Sequence, residues 1–342
     1  LISEMLIIME ANLVKRTVGF CVCLMLFCAT SSAVNVNVEY EWVNVTSSAA
    51  WNPRDGAGAL TYDGKMWMIG GWGPSTLYPR TTTNEVWNST DGATWTQVKP
   101  NTFLDGSFDP ISDWEGRHTA GYAVYDNKMW IIGGDANQGH YQNDVWNSTD
   151  GTNWTYVNPS NPVPWGPRAL HNTMVFNNKI WVMGGQTMPG FVAGPAENFH
   201  RDIWSTTDGA NWTQASPVEP SWSARGMIMG SVVFNNRMWI LGGGTYSTPT
   251  TPEREFHNDV WSTVDGENWM EHTANAPWDP RQYHSVTVFD DRMWVLAGYD
   301  GEDRNDVWYS DDGVNWYKQY ATPSDLQARH AASVFVHDDG NG

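Results

Sequence analysis

The chain has very little cysteine and few basic residues. Its 342 residues include 3 cysteines, at positions 21, 23 and 28, so the rest of the chain cannot form a disulfide framework or a thiolate metal site. Lysine and arginine together number 19 against 38 aspartates and glutamates, which gives a formal charge of −19. Because a protein that neutralises phosphates needs a basic face, this balance argues against nucleic-acid binding.

A long apolar run is also missing, although a short one lies near the N-terminus. Lys15 and Arg16 precede an apolar stretch at 18–29, and small residues follow at 31–33. This order is typical of a secretory signal peptide, which we assign to residues 1–33, and the stretch is short for a membrane span. A signal anchor is the alternative. We therefore expect a secreted (extracellular or periplasmic) protein, with no stable membrane span after cleavage.

The 22 tryptophans follow a repeat. Five segments share a motif in which a basic residue, an apolar residue and Trp precede a Gly-Gly or Ala-Gly pair, at 65–71, 128–134, 179–185, 237–243 and 292–298. Each is followed by an acidic residue, Val or Ile, and Trp, and then by Asp-Gly-x-x-Trp. The period is about 55 residues. We expect the repeated tryptophans to pack between repeats or stack on arginine, and only Trp72 lies outside the pattern as a candidate for stacking on a sugar.

Each repeat contains four short apolar runs, which we name strands a to d in chain order. The runs are rich in Val, Ile, Trp and Thr, and two-residue hairpin signals separate a from b and c from d. Four antiparallel strands per repeat predict an all-β propeller. The motifs resemble the kelch repeat, a family that includes the propeller of galactose oxidase. The resemblance covers nearly all of residues 34–342, with five full repeats at about 54–95, 117–154, 168–212, 225–269 and 281–316.

The two ends of this region predict a sixth, incomplete blade. Residues 36–45 match strand d, and residues 327–342 match strand a and the turn after it. The N-terminal strand would then close the ring of a six-bladed propeller against the last blade. Strands b and c of that blade are missing, so we expect that the chain stops about 25 to 35 residues early by the measure of its own repeat.

We expect ligands to bind at the end of the propeller where the b–c and d–a connections lie. These connections are long and irregular, whereas the a–b and c–d turns are short, and binding residues gather on variable loops held by a rigid scaffold. The candidate ligand-binding residues of the loops are Trp72, Tyr78, Arg80, His140 and Tyr141.

A second set of candidates lies at the start of strand a, beside the predicted central channel. Its members are Arg168, His171, Arg281 and His284. We place His330 in the same register as His171 and His284. Three converging imidazoles are able to bind a metal ion, but we favour a structural role for them and assign no metal site.

The resemblance to galactose oxidase does not extend to its copper-radical centre, because that centre needs a Cys–Tyr link and no cysteine follows position 28. The repeated Asp-Gly-x-x-Trp is similar to the Asp box of sialidases, but it recurs as the c–d turn and we interpret it as structural. No nucleophile elbow or phosphate-binding loop is present. We assign no catalytic residue and no cofactor.

These observations predict a secreted binding module for a glycan or an extracellular protein. Kelch propellers serve many roles, so the resemblance leaves the function open. One alternative is an exported sugar-modifying enzyme similar to the kelch-fold sialic acid mutarotases, with the arginines and histidines of strand a as acid–base groups. Another is an architectural surface protein.

Overall fold

The computed structural model describes residues 9–10, 40–73, 82–136, 139–157, 159, 162–188, 198–215, 222–225, 230–246, 253–319 and 326–338. Within these ranges the chain forms strands, turns and loops, and no helix. The described residues therefore include no helix of the length and hydropathy needed to cross a membrane.

Five antiparallel sheets of four strands follow one another along the chain, each with its strands in chain order, which confirms the predicted all-β propeller. We call them blades 1 to 5. Blade 1 comprises β3 (Gly58–Tyr62), β4 (Lys65–Ile69), β5 (Val86–Ser89) and β6 (Thr96–Lys99); blade 2 comprises β7 (Gly121–Tyr125), β8 (Lys128–Asp135), β9 (Tyr141–Ser148) and β10 (Thr155–Tyr156); blade 3 comprises β11 (Asn172–Phe176), β12 (Lys179–Met183), β15 (Ile203–Thr206) and β16 (Trp212–Gln214); blade 4 comprises β17 (Gly230–Phe234), β18 (Arg237–Gly244), β19 (Phe256–Thr263) and β20 (Trp269–Thr273); blade 5 comprises β21 (Ser285–Phe289), β22 (Arg292–Tyr299), β23 (Asp303–Ser310) and β24 (Tyr317–Gln319). Two short pairs lie outside the blades, β1 (Met9–Glu10) with β2 (Glu41–Trp42) and β13 (Gln186–Thr187) with β14 (Asn198–Phe199).

The turns between strands a and b have the backbone that their sequences predict. Asn177 and Asn178 of blade 3 have φ of 49° and 55°, and the matching pairs of the other blades are also left-handed. Two consecutive positive φ values define a type I′ turn, whose twist matches that of the flanking strands. Asn, Asp and Gly tolerate this region better than other residues, which accounts for their recurrence here.

The turns between strands c and d are held by side chains, as the repeated Asp-Gly-x-x-Trp predicts. In blade 2, the Asp150 carboxylate accepts the backbone N–H groups of Thr152 at 2.9 Å and Asn153 at 2.8 Å. Ser148 Oγ accepts the N–H of Gly151 at 2.8 Å. The aspartate thus satisfies backbone donors inside the turn, which supports the structural interpretation of this motif.

Tryptophan packs the blades against one another. In blades 1 to 4 the indole of strand b lies over the glycine of the c–d turn in the next blade, in the pairs Trp67 with Gly151, Trp130 with Gly209, Trp181 with Gly266 and Trp239 with Gly313. Trp165 and Trp212 meet edge to face with centroids 5.5 Å apart. Burial of each large side chain contributes about 1.5–3 kcal/mol, so these repeated contacts supply much of the core. The predicted packing role of the repeated tryptophans is confirmed.

Residues 331–336 lie between the inner strands of blade 5 and blade 1. Ser285 Oγ donates to the carbonyl of Ala332 at 2.8 Å, and Thr61 Oγ1 donates to the carbonyl of Val336 at 2.7 Å. Phe335 packs in the core cluster of blade 1. This segment therefore takes the place that strand a occupies in the other blades.

The N-terminal segment reaches the same gap from the side of blade 5. Tyr40 packs edge-on against Trp294, with centroids 5.0 Å apart, and its hydroxyl donates to Asp290 at 2.7 Å. Glu41–Trp42 pairs with Met9–Glu10, whereas a strand of a sixth sheet was the predicted partner. The described residues thus form five four-stranded blades and not six, because they include no strands b and c after residue 326.

Candidate binding face at the mouth of the channel

The arginine before each strand a is bound inside its own blade. In blade 3, Arg168 Nη1 donates to the carbonyl of Gly184 at 2.9 Å, and Nη2 donates to Asp202 Oδ2 at 3.0 Å. Asp202 also accepts the indole N–H of Trp204 at 2.6 Å. Burial alone raises the pKa of Asp202, but the hydrogen bonds and charge of Arg168 outweigh it and leave that pKa lowered. Arg54, Arg117, Arg225 and Arg281 make equivalent bonds to a carbonyl and a carboxylate of their own blades. We call these five residues the clasp arginines, and each arginine with its carboxylate a clasp.

Arg168 and Arg281 were predicted to bind a ligand, and the structure places both guanidinium groups in the protein interior. Each side chain is fully buried, at 0% exposure. Their hydrogen-bonding groups are directed at the blade itself, so they stabilise the start of strand a and do not form part of the surface. The predicted stacking of arginine on tryptophan is present in blade 3, where the Arg168 guanidinium lies 5.8 Å from the Trp165 ring.

His171 and His284 lie between neighbouring inner strands. The space for each ring comes from a glycine of the preceding blade, Gly121 for His171 and Gly230 for His284. Burial, together with the adjacent clasp arginine, lowers the pKa of both histidines to about 3. Both imidazoles are therefore neutral at physiological pH, and they pack in different blade interfaces. Within the described ranges, no group of three or more His, Cys, Asp or Glu side chains is arranged to hold a metal ion.

The predicted register of His330 is wrong. His171 and His284 each follow an arginine by three residues, whereas His330 directly follows Arg329. Its structural equivalent is His118, which directly follows Arg117. Both of these histidines lie at the mouth of the channel and both contact carboxylates.

Backbone hydrogen bonds join neighbouring blades at the channel mouth, at three places within the described residues. Thr119 N donates to the carbonyl of Gly56 at 2.8 Å, Leu170 N to Thr119 at 2.9 Å, and Ala331 N to Tyr283 at 2.9 Å. All five residues have φ between 52° and 63°, a left-handed conformation that side chains rarely adopt. They enclose a cavity of about 240 Å³, and a second cavity of about 400 Å³ lies further along the inner strands.

His118 joins blades 1 and 2 at this mouth. Its Nδ1 lies 3.4 Å from Asp55 Oδ1, and its Nε2 lies 3.5 Å from Asp135 Oδ2. Burial lowers the pKa of His118, but hydrogen bonds to Asp135 and Asp55 outweigh this and raise it to about 9. The imidazolium form therefore links the two carboxylates at neutral pH.

The candidate loop residues divide between the surface and the interior. His140 is exposed, and its Nδ1 lies 3.1 Å from Glu115 Oε2, a contact that raises the pKa of His140. Tyr141 is buried, and its hydroxyl accepts the backbone N–H of Met188 at 3.1 Å. Trp72 is half-buried and pairs through its backbone with Asp55 and Thr82. Tyr78 and Arg80 lie outside the described residues.

An aromatic cluster occupies the side of the mouth formed by blades 4 and 5. The guanidinium of Arg254 lies 4.3 Å from the ring centroid of Tyr246 and 5.4 Å from that of Tyr299. Tyr299 also contacts Phe256, with centroids 6.2 Å apart, and His330, at 5.7 Å. We call Tyr246, Arg254, Phe256, Tyr299 and His330 the mouth cluster.

Comparison with known protein families assigns this architecture. The family model described as the Attractin/LZTR1 beta-propeller matches residues 30–308. The chain belongs to this family. The resemblance to kelch-repeat proteins is thereby confirmed.

Three curated relatives are similar to parts of this Attractin/LZTR1-type propeller. Alpha-scruin of Limulus polyphemus is 27% identical over 136 residues, 38% of this chain and 13% of the relative. Leucine-zipper-like transcriptional regulator 1 homolog of Drosophila melanogaster is 25% identical over 145 residues, 40% of this chain and 13% of the relative. Kelch repeat and BTB domain-containing protein 12 of Danio rerio is 25% identical over 217 residues, 60% of this chain and 33% of the relative. The matches thus span 13 to 33% of these relatives.

Sequence reasoning missed the mouth cluster of this Attractin/LZTR1-type propeller. Its aromatic residues lie in or beside b–c connections, since Phe256 begins β19 and Tyr299 ends β22, but they come from two blades and the linear sequence gives no distance between them. A usable signal was present in Arg254, which is flanked by Glu253 and Glu255 and stands near Tyr246 and Phe256. An arginine among aromatic and acidic residues in a connection predicts stacking on a ring.

Proposed function

We propose that this propeller is a protein-binding module and that its binding surface is the mouth face, the end of the molecule that carries the b–c and d–a connections. Kelch-type propellers generally serve as protein-interaction modules. The observation that carries the proposal is the mouth cluster, where Arg254 stacks on two half-buried tyrosines. Tyrosine and arginine are the residue types enriched in the energetic centres of protein interfaces.

The opposite end of the propeller, which we call the turn face, is less suited to binding. Its c–d turns use their side chains to satisfy their own backbone, as Asp150 and Ser148 do in blade 2. Its a–b turns are two residues long and present small polar side chains such as Asn177 and Asn178. A surface of short, internally bonded turns offers few groups for a partner.

Site-specific photocrosslinking of the full chain tests this assignment. A photoreactive amino acid is placed at His140 or Glu302 on the mouth face, and at Asp126 or Glu267 on the turn face as matched exposed positions. Proteins crosslinked in the cells that produce the chain are then identified by mass spectrometry. We expect specific adducts from the mouth positions alone. Equal adducts from both faces, or adducts from the turn face alone, would contradict the proposal.

We also propose that the ring closes through a sixth sector built from residues 40–51 and 326–338. The support comes from backbone bonds that repeat those of complete blades. Gly134 N donates to the carbonyl of Arg168 at 2.9 Å, and Gly298 N donates to that of Arg329 at the same distance. The bond from Ala331 N to Tyr283 continues the ring at the mouth. Rapid hydrogen exchange of Ala331 N, compared with Leu170 N, would argue against a closed sixth sector.

Export and a glycan ligand remain further proposals. The basic and apolar pattern of residues 15–33 supports export, and the half-buried indole of Trp72 at the mouth supports stacking on a sugar. N-terminal sequencing of the protein from the culture medium tests export, with Val34 expected as the first residue. Thermal unfolding with a panel of sugars tests glycan binding, with a raised midpoint expected for one class and loss of that shift in Trp72→Leu.

A further inference from the structure

The two faces of the propeller differ in their charge. At the turn face every strand b begins with a cation, at Lys65, Lys128, Lys179, Arg237 and Arg292. Acidic residues of the a–b and c–d turns lie at the same end, for example Asp126 and Asp290, which lie 3.9 Å from Lys128 and 3.7 Å from Arg292. The turn face therefore carries both signs of charge side by side.

The mouth face is acidic. Carboxylates on its described connections are Asp55, Asp105, Asp109, Asp113, Glu115, Asp135, Glu253, Glu255, Asp279, Asp300, Glu302 and Asp303. The described cations at this end, apart from the buried clasp arginines and Lys99, are Arg201, Arg254, Arg304 and the His118 imidazolium; Arg304 pairs with Asp300 at 2.7 Å, and His118 lies between Asp55 and Asp135. Like charges on loops around a concave mouth add up to a negative potential that attracts cations.

Three exposed carboxylates of this acidic face lie close in sequence to residues of the mouth cluster. Glu253 and Glu255 flank Arg254 in sequence and both are exposed. Glu302, also exposed, lies in the hairpin after Tyr299, where its carbonyl accepts the N–H of Asp300 at 3.2 Å. Aromatic rings and exposed carboxylates therefore occur together on blades 4 and 5.

The position of Arg254 shows what these rings accept. A guanidinium within about 6 Å of an aromatic centroid is attracted by the negative face of the ring. Arg254 meets this condition with Tyr246 and with Tyr299. Arginine also matches carboxylates through two parallel hydrogen bonds, which lysine cannot make. The mouth cluster and the carboxylates beside it thus offer the two groups that a guanidinium prefers, an aromatic face and a carboxylate.

We propose that the mouth face docks a basic, arginine-bearing segment of a partner protein, centred on the mouth cluster and held by the carboxylates around it. This inference rests on the proposed protein-binding function and adds the chemistry of the partner. The negative charge of the mouth face indicates a cationic partner segment. The tyrosine rings favour arginine over lysine in that segment.

Binding of a defined peptide to the full chain tests the proposal. The probe is a fluorescein-labelled peptide of repeated Arg-Gly-Ser, compared with Lys-Gly-Ser and Glu-Gly-Ser peptides of equal length, and binding is followed by fluorescence anisotropy. The mouth variant carries Glu253→Gln, Glu255→Gln and Glu302→Gln. The matched turn-face variant carries Asp63→Asn, Asp126→Asn and Glu267→Gln, which change the net charge equally at exposed positions.

We expect the arginine peptide to bind most tightly and its affinity to fall with added salt. It should bind about tenfold less tightly (about 1.4 kcal/mol) to the mouth variant, because that variant lacks three rim charges. The turn-face variant should bind like the wild type. Tyr299→Leu should weaken the binding of the arginine peptide more than that of the lysine peptide. Unchanged circular dichroism and unfolding midpoints confirm that each variant is folded.

Several outcomes would overturn the proposal. Equal losses in both triple variants would show that binding follows net charge alone, and equal binding of the arginine and lysine peptides would remove the role of the tyrosines. No binding of the arginine peptide, together with crosslinking confined to His140 and Glu302, would refute the basic partner and leave the protein-binding function standing. Absence of mouth-face crosslinking would refute that function instead.

Discussion

Gly209 in blade 3 lies directly against the indole of Trp130 in blade 2. A methyl group added to Gly209 would come within 2.4 Å of Trp130 Cζ3, closer than any real contact. The glycine also has φ of 76°, a conformation that other residues rarely adopt. The Asp-Gly of the c–d turn therefore serves two purposes, because it permits the turn and it receives the tryptophan of the preceding blade.

Gly209→Ala should lower the free energy of unfolding by about 3 kcal/mol. Overpacking accounts for about 1–3 kcal/mol of this, and the left-handed backbone for about 1–2 kcal/mol. Urea unfolding followed by tryptophan fluorescence measures the change. Gly64→Ala is the matched control, since Gly64 has φ of 66° but open space around its Cα. It should lose only the backbone contribution, and equal losses at both positions would contradict the packing argument.

The buried arginine clasp should matter far more than the surface ion pairs. Arg168→Ala leaves the Asp202 carboxylate, whose side chain is 22% exposed, without its main partner, and breaking a largely buried pair in this way costs about 3 kcal/mol. The exposed pair of Lys128 and Asp126, at 3.9 Å, is the control, and Lys128→Ala should cost less than about 0.5 kcal/mol. The urea unfolding midpoints of the two variants compare these two losses directly.

A double variant separates the charge from the packing of the clasp. Arg168→Met with Asp202→Leu removes both charges and keeps apolar volume, so it should be more stable than Arg168→Ala alone. A double variant less stable than the single one would show that the hydrogen bonds to Gly184 and Trp204, and not the unpaired carboxylate, dominate the loss.

The fold followed from the sequence because its determinants are local. The Asp-Gly turns, the tryptophan of strand b and the type I′ turns each act within a few residues, and their repetition makes the signal unambiguous. The buried clasp was harder to predict, since the same Arg168 is a surface ligand in one interpretation and an internal ion pair in another. Only the position of Asp202, on strand c of the same blade, decides between them.

The mouth was less predictable because it is assembled from several blades. His118 meets Asp55 and Asp135 from two different blades, and Tyr246 approaches Tyr299 through the intervening Arg254. The repeat predicts that such loops share one face, but the distances between their side chains depend on irregular connections. Contacts of this kind carry no periodic signal in the sequence.

His118 should make the protein less stable in alkaline solution. Its pKa in the folded protein is raised to about 9, above the ordinary histidine value of 6.5. The contribution of this group is complete below pH 6.5 and is lost as the pH rises through about 9. Since the histidine is part-exposed at the mouth, the expected loss is about 1 to 3 kcal/mol.

Urea midpoints measured across this range test the role of His118. The wild type should lose stability between pH 6.5 and about 9, whereas His118→Asn should start lower and change little over the same interval. His140→Asn is a useful comparison, because His140 is exposed and pairs with a single carboxylate, Glu115. An identical decline in His118→Asn and the wild type would assign the alkaline loss to another group.

His171 and His284 should have the opposite effect in acid. Burial and the neighbouring clasp arginines lower the pKa of both to about 3, so the unfolded chain binds protons more readily than the folded one between pH 6.5 and 3. Their contribution is complete above pH 6.5 and is lost as the pH falls, by up to about 1.4 kcal/mol per pH unit for each histidine.

Between about pH 4.5 and 6.5, where the carboxylates of the unfolded chain stay mostly ionised, His171→Gln should therefore lose stability less steeply than the wild type. His140→Asn should keep the wild-type slope, because the pKa of His140 is raised. Equal slopes for His171→Gln and the wild type would mean that His171 titrates normally in the folded protein.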